Sequence, residues 1–168
     1  MEGNEKAQFR LYKLYYKAMY SVSLRIVNNE VEAEDIMQEA FLSAFRKIKT
    51  YRGEVSFGAW LKKIVVNRSL DYLKKRKVYF EEIDNRTTET PDYQMETKEL
   101  DVKAIKRAIQ DLPDGYRVVL SLYLIEGYDH NEISEILGIS NSASRTQFLR
   151  AKNKLRELLK GKEIFSYN

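Results

Sequence analysis

From Asp129 to Lys160 the chain reads DHNEISEILGISNSASRTQFLRAKNKLRELLK, two helical periods separated by one glycine, and few arrangements satisfy both halves. Asp129 stands where it can cap a first helix, and Glu132, three residues on, can reach back to the cap's own N–H, an Asp-led capping box. Ile133, Ile136 and Leu137 come next at spacings of three and four, and Gly138 permits the left-handed conformation that stops the helix. The turn Gly138-Ile139-Ser140, with Ser140 or Asn141 capping the second helix, sets that helix steeply across the first. In this helix-turn-helix geometry the second helix can enter a major groove.

In the second helix Ala143, Phe148, Ala151, Leu155 and Leu158 are expected to face inward. Ser142, Arg145, Thr146, Gln147, Arg150, Lys152 and Lys154 are expected on or near the other side. Arg, Gln, Ser and Thr can bond base edges, and Arg and Lys further along suit phosphates. The plainer reading of the same spacing is an amphipathic helix pair with a solvated basic face.

With no cysteine among 168 residues, the chain can hold no disulfide, thiolate metal site or cysteine nucleophile. The single histidine, His130, falls in the first turn of the first motif helix and is expected to be a plain solvent-facing residue rather than a ligand. No cofactor is expected. No stretch has the apolar length of a membrane span. The start, MEGNEKAQF, lacks the basic end and apolar run of a secretory signal, so the expected location is the cytoplasm.

The net charge of +4 is unevenly placed. Residues 1–79 carry 16 Lys and Arg against 9 Asp and Glu, residues 80–101 carry 2 against 8, and residues 102–168 carry 11 against 8. Two basic blocks flank an acidic connector. Basic blocks fit a polyanionic partner, because each phosphate neutralised releases counterions, and the connector should be repelled by that partner.

Residues 4–28 have a helical period through Phe9, Tyr12, Tyr16, Met19, Val22 or Ser23, and Ile26. After Asn28-Asn29 a second helix is predicted from Glu32 to Lys49, burying Met37, Ala40, Phe41, Ala44 and Ile48. Asp35, Gln38, Glu39 and Leu42 cluster on its other side, an acidic surface with an exposed leucine that is either a solvated face or a dock for a basic partner. The segment from Tyr51 to Phe57 reads as a loop, with Gly53 for its turn and Ser56 as the next N-cap. A long helix comes after it, apolar through Phe57, Trp60, Leu61, Ile64 and Val65, with Trp60 expected in the core.

From Lys62 to Lys77 that helix holds seven basic residues, Arg68 among them, against Asp71 alone, and Lys63, Asn67 and Lys74 share one face. An amide between cations, beside a loop carrying Tyr51 and Phe57, has the parts to hold phosphates and an unstacked base. Residues 80–101, with Pro91 and few aliphatics, read as a flexible acidic linker. Beyond it Leu112-Pro113-Asp114-Gly115 separates two helices, and Val118, Val119, Leu122 and Leu124-Ile125 are expected to supply the core on which the motif packs. The predicted fold is all-α: a helical domain over 1–79, the linker over 80–101, and a helix-turn-helix, winged-helix-like domain over 102–168.

In this order the residues resemble the extracytoplasmic-function sigma factors of bacterial RNA polymerase. AEDIMQEAFLSAFRKI resembles the family's polymerase-binding helix, SFGAWLKKIVVNRSLDYLKKR its DNA-melting and −10-reading helix, and LPDGYRVVLSLYLIEGYDHNEISEILGISNSASRTQFLRAKNKL its −35-reading domain. The resemblance implies that Asp35, Gln38, Glu39 and Leu42 bind core RNA polymerase. It implies that Tyr51, Gly53, Ser56, Lys63, Asn67, Arg68 and Lys74 hold −10 DNA, with Asn67 and the loop gripping a flipped base. Ser142, Arg145, Thr146, Gln147, Arg150 and Lys152 would then lie along the −35 element of promoter DNA.

An anti-sigma factor, membrane-bound or soluble, is a further partner that the resemblance allows, and no small-molecule substrate is implied. Ala143-Ser144 stands where the family commonly has Thr-Val, and Gln147 where a basic residue is frequent, so the −35 sequence cannot be borrowed from a relative. Two other classes are weighed. A DNA recombinase would need a nucleophile or metal cluster in its first half, where there is no HExxH, no Walker loop and no histidine. A polymerase-independent helix-turn-helix regulator would bind duplex DNA alone.

Overall fold

Asn28 and Asn29 show how local chemistry divides the first two helices. Asn28 adopts a left-handed φ of 53°, ending α1 (Glu5–Val27), and Asn29 Oδ1 accepts from the Glu32 N–H at 3.1 Å to cap α2 (Glu30–Arg46). The cap starts α2 two residues before the predicted Glu32. The computed structural model describes residues 5–76 and 102–164, the last four as backbone only. The predicted linker, residues 80–101, lies outside these described residues, and the next helix opens at Val102.

In the first unit α1, α2 and α3 (Phe57–Lys75) pack on one another. Its core is Met19, Val22 and Ile26 of α1, Ile36, Met37 and Phe41 of α2, and Leu61, Val65, Val66, Leu70 and Leu73 of α3. Ala33, Ala40 and Ala44 are also fully buried, and their small side chains let the α2 backbone approach its neighbours. The polar join between α1 and α3 is satisfied: Ser69 Oγ donates to the Val65 carbonyl at 2.8 Å and lies 3.1 Å from Ser23 Oγ, from which it can accept.

Two expectations fail here. Phe9 is 57% exposed, because it lies in the first turns of α1, away from the buried stretch that starts at Met19. Ile48 is exposed because α2 stops at Arg46 and a 3-10 turn over Ile48–Thr50 rotates the chain off the α-helical stripe.

The second unit holds α4 (Val102–Gln110), α5 (Asp114–Leu124), α6 (His130–Leu137) and α7 (Asn141–Ile164), with α4, α5 and α6 each packed on α7. Leu112, Leu120 and Ala151 form a buried cluster under Ile109, Tyr116, Leu155 and Leu158. Val118, Val119, Leu122, Ile133 and Leu137 complete the interior. Arg117 is buried beside them, bonding the Leu112 carbonyl at 3.0 Å and pairing with the Asp114 carboxylate, which fastens the Pro113 turn between α4 and α5. Leu124 and Ile125, expected in the core, are exposed: α5 ends at Leu124, and the chain leaves the helical stripe toward Gly127, whose φ is +80°. Among the described residues no strand occurs, so the helix-turn-helix has no wing there.

The motif itself forms as its local chemistry requires. Asp129 accepts from the N–H groups of Asn131 and Glu132, Glu132 accepts from the Asp129 N–H at 2.8 Å, and Gly138 ends α6 at φ 69°. Ser140, rather than Asn141, caps α7 by accepting from the Ala143 N–H at 3.1 Å.

Candidate polymerase and nucleic-acid interfaces

On α2, burying Ile36, Met37, Ala40 and Phe41 turns Asp35, Gln38, Glu39 and Leu42 outward, and all four are exposed. Two of them already have partners. Gln38 donates to Glu34 at 3.3 Å, and Glu39 accepts from Arg68 of α3 at 2.7 Å. Leu42 borders a shallow groove of about 420 Å³ between α1 and α2, shared with Phe9, Phe41 and Phe45. Phe9 and Phe45 therefore extend the candidate surface with apolar area that helical spacing had not assigned to it.

Ahead of α3 the loop is held by its own groups. Tyr51 donates its hydroxyl proton to the Val55 carbonyl at 2.5 Å, Gly53 turns the chain at φ +74°, and Ser56 caps α3 by accepting from the Ala59 N–H. Tyr51, Phe57 and Trp60 pack ring against ring, with Tyr15 of α1 against Phe57. All four are half-buried, so Trp60 is not the core residue expected. It lies in the first turn of α3, where the apolar stripe meets the loop instead of the bundle interior. Gly58 allows that meeting, since a β-carbon there would sit 2.7 Å from the Tyr15 ring.

Beyond the aromatic set Lys63, Asn67 and Lys74 are exposed on one face, as predicted, and Asp71 falls on it too. Arg68 does not join them. It is half-buried and directed to Glu39 on α2.

On α7 Ser142 and Arg145 are exposed, and Thr146, Arg150 and Lys152 are half-buried. Thr146 Oγ1 donates back to the Ser142 carbonyl at 3.0 Å, and the Lys152 ammonium stands 5.6 Å over the Phe148 ring. Gln147 departs from the expectation. It is 2% exposed, because it lies one turn from Ala143 and one turn from Ala151 on the stripe that faces α4–α6. It cannot reach a groove from there.

His130 is likewise not a plain surface residue. Its ring stacks on Tyr123 at 4.5 Å, meets Phe148 edge-on at 5.7 Å, and places Nδ1 2.9 Å from Ser144 Oγ. Burial, and then the nearby Arg145 cation, hold its pKa below 6.5, with the Asp129 carboxylate opposing. Arg145 has its own link to α6: its Nε donates to Asn141 Oδ1 at 2.9 Å, and Asn141 Nδ2 donates to Asn131 Oδ1 at 2.6 Å. Sequence alone does not bring Asn131, Asn141 and His130 into the site, since nothing in their own spacing marks them.

Among the described residues no cluster of His, Asp and Glu is arranged to hold a metal ion, and no helix is long and apolar enough to cross a membrane. The family comparison bears on both units. Residues 11–78 match the model for sigma-70 region 2, and residues 103–155 match that for sigma-70 region 4. The chain is 30% identical over 173 residues to the ECF RNA polymerase sigma factor SigW of Bacillus subtilis, covering 95% of this chain and 92% of that protein. This chain belongs to the ECF RNA polymerase sigma factors.

The sigma factor is also 27% identical over 176 residues to the sigma-E factor of Haemophilus influenzae, with 94% and 92% of the two chains covered. Its fold is that of the sigma factor RpoE from Bartonella quintana, solved in complex with the anti-sigma factor NepR, with a TM-score of 0.62, 23% identity, and 92% and 98% of the chains covered. CnrH, solved with the cytosolic domain of CnrY, is similar at a TM-score of 0.55 and 22% identity, over 95% of this chain and 91% of that one. As an alternative sigma factor the chain directs RNA polymerase to promoters.

Proposed function

We propose that this sigma factor divides promoter recognition between its two units. The outer face of α2, through Asp35, Gln38, Glu39 and Leu42, docks on core RNA polymerase. The Tyr51–Ser56 loop with Lys63, Asn67 and Lys74 holds the −10 strand, Asn67 bonding the edge of a base taken out of the stack. Ser142, Arg145, Thr146, Arg150 and Lys152 engage the −35 duplex. Binding energy gained at the −35 element and on the polymerase is used to unpair the −10 element, and the captured base keeps it open. The polymerase makes the bonds, and this chain chooses where.

The observation that carries this reading is the exposed Lys63, Asn67 and Lys74 face beside a half-buried aromatic set, in the unit that matches sigma-70 region 2. The domains proposed are 1–79 and 102–168 with the acidic segment between them, acting in the cytoplasm. The similar sigma factor RpoE, solved with the anti-sigma factor NepR, supports an anti-sigma factor as a further partner.

The test is to combine the chain with core RNA polymerase and sequence the transcripts' 5′ ends on genomic DNA. Start sites sharing two spaced elements, absent with core enzyme alone, are expected. Tight, sequence-specific binding of duplex DNA by the chain without polymerase would instead favour an operator-binding regulator.

A further inference from the structure

We infer that Asn131, on the first helix of the helix-turn-helix, is a positioning residue that aims Arg145 of the second helix at its base through Asn141. This rests on the reading of Arg145 as a −35 contact. The three side chains form one directed chain of hydrogen bonds across α6 and α7: Arg145 Nε to Asn141 Oδ1 at 2.9 Å, then Asn141 Nδ2 to Asn131 Oδ1 at 2.6 Å.

An asparagine amide has an acceptor on one side and donors on the other, and a half-turn exchanges them. By accepting from Nδ2, Asn131 holds the Asn141 amide with its oxygen toward Arg145. With the amide reversed, Asn141 would present N–H groups to the donors of a guanidinium, which has no acceptor to offer. Asn131 thus favours the orientation in which Asn141 attracts Arg145. The use of Nε is equally informative. It occupies the inner edge of the guanidinium and leaves both terminal nitrogens for the two parallel bonds that recognise guanine O6 and N7.

Arg145 is exposed and otherwise free to sample many rotamers, so holding it in one orientation before DNA arrives lowers the ordering cost at binding. Asn131 itself is exposed in the first turn of α6, and the Asp129–Glu132 capping box holds that turn without it. Its substitution therefore leaves the fold intact.

The experiment uses reconstituted holoenzyme on a promoter library randomised through the −35 element, reading base preference at every position. Arg145→Ala is expected to flatten preference at one position. Asn131→Ala should blunt preference at that same position by about three- to tenfold, toward the lower end of the coupling between neighbours, and have no further effect in an Arg145→Ala background. Asn131→Asp, which retains the acceptor oxygen, should keep the preference while its charge lowers binding to all sequences alike.

The proposal is overturned if Asn131→Ala leaves every preference intact, weakens all sequences evenly, or acts equally without Arg145. If Arg145→Ala alone changes no position, the reading of Arg145 as a base contact has failed, and the relay falls with it.

Discussion

Arg68 of α3 and Glu39 of α2 form an ion pair at 2.7 Å, joining a residue of the helix proposed to read the −10 element to one of the proposed polymerase-docking face. The Glu39 side chain is 65% exposed and that of Arg68 37%, so solvent screens the pair and it contributes only about 0.2–1 kcal/mol to stability. Glu39→Lys sets two cations against each other, and adding Arg68→Glu restores an attractive pair with its signs exchanged. Both variants are expected to melt within a few degrees of wild type. Both are expected to lose affinity for core polymerase, because the docking partner meets the sign of residue 39. Thermal denaturation and competition binding to core enzyme check this. Recovery of core binding by the double variant would mean that Glu39 serves only to place Arg68.

Asn67 and Arg145 should fail at different steps. Asn67→Ala is expected to slow open-complex formation on duplex promoters and to be largely rescued when the −10 region is supplied already unpaired, since its proposed part is to hold an extruded base. Arg145→Ala should gain nothing from pre-melting, because its contact is made to duplex DNA. Transcription from matched duplex and bubble templates separates them, and identical responses would remove the division of labour between the two units.

Gln147 should behave as an interior residue. Gln147→Ala is expected to lower stability by about 1–3 kcal/mol, the range for loss of a buried polar side chain, and to leave −35 base preference unchanged. Arg145→Ala should do the converse, with a stability change within about 0.5 kcal/mol. Denaturant unfolding and library selection together test the pair.

His130 gives stability a dependence on pH. Its folded pKa lies below 6.5, so the unfolded chain binds the proton first as pH falls. Stability is therefore expected to decline as pH drops through 6.5 toward the folded value and then to level off. The ring is only partly buried, so the effect is modest. Replacing His130 by Phe keeps a ring against Tyr123 and Phe148 and removes the titration, with Asp129 and Arg145 unchanged. The difference in melting temperature between the two chains should change steadily from pH 7 to pH 5 in favour of the Phe variant, and a constant difference would exclude His130 as the source.

Among the described residues the seven α-helices were largely legible because what starts, stops and orients a helix is local. The Asp129–Glu132 box, the left-handed Gly138 and the Ser56 cap each act over one to three residues, and each formed as its spacing implied. The helical period also sufficed to turn Asp35, Gln38, Glu39 and Leu42 outward and to line up Lys63, Asn67 and Lys74. The same period points Gln147 inward, one turn from Ala143 and from Ala151, and there position prevails over the polar type that suggested a groove contact.

What the chain alone could not supply is which residue of another helix each outward or inward face would meet. Glu39 and Arg68 are 29 residues apart, Asn131 and Asn141 are 10, and His130 and Ser144 are 14. A helical period gives a side chain's angle about its own axis, but a contact between helices depends also on their distance, rotation and crossing. Those are decided by how the buried faces of all the helices fit at once. The packing therefore withdrew Arg68 from its cationic neighbours, half-opened Trp60, and brought the Asn141 that holds Arg145 within reach of Asn131.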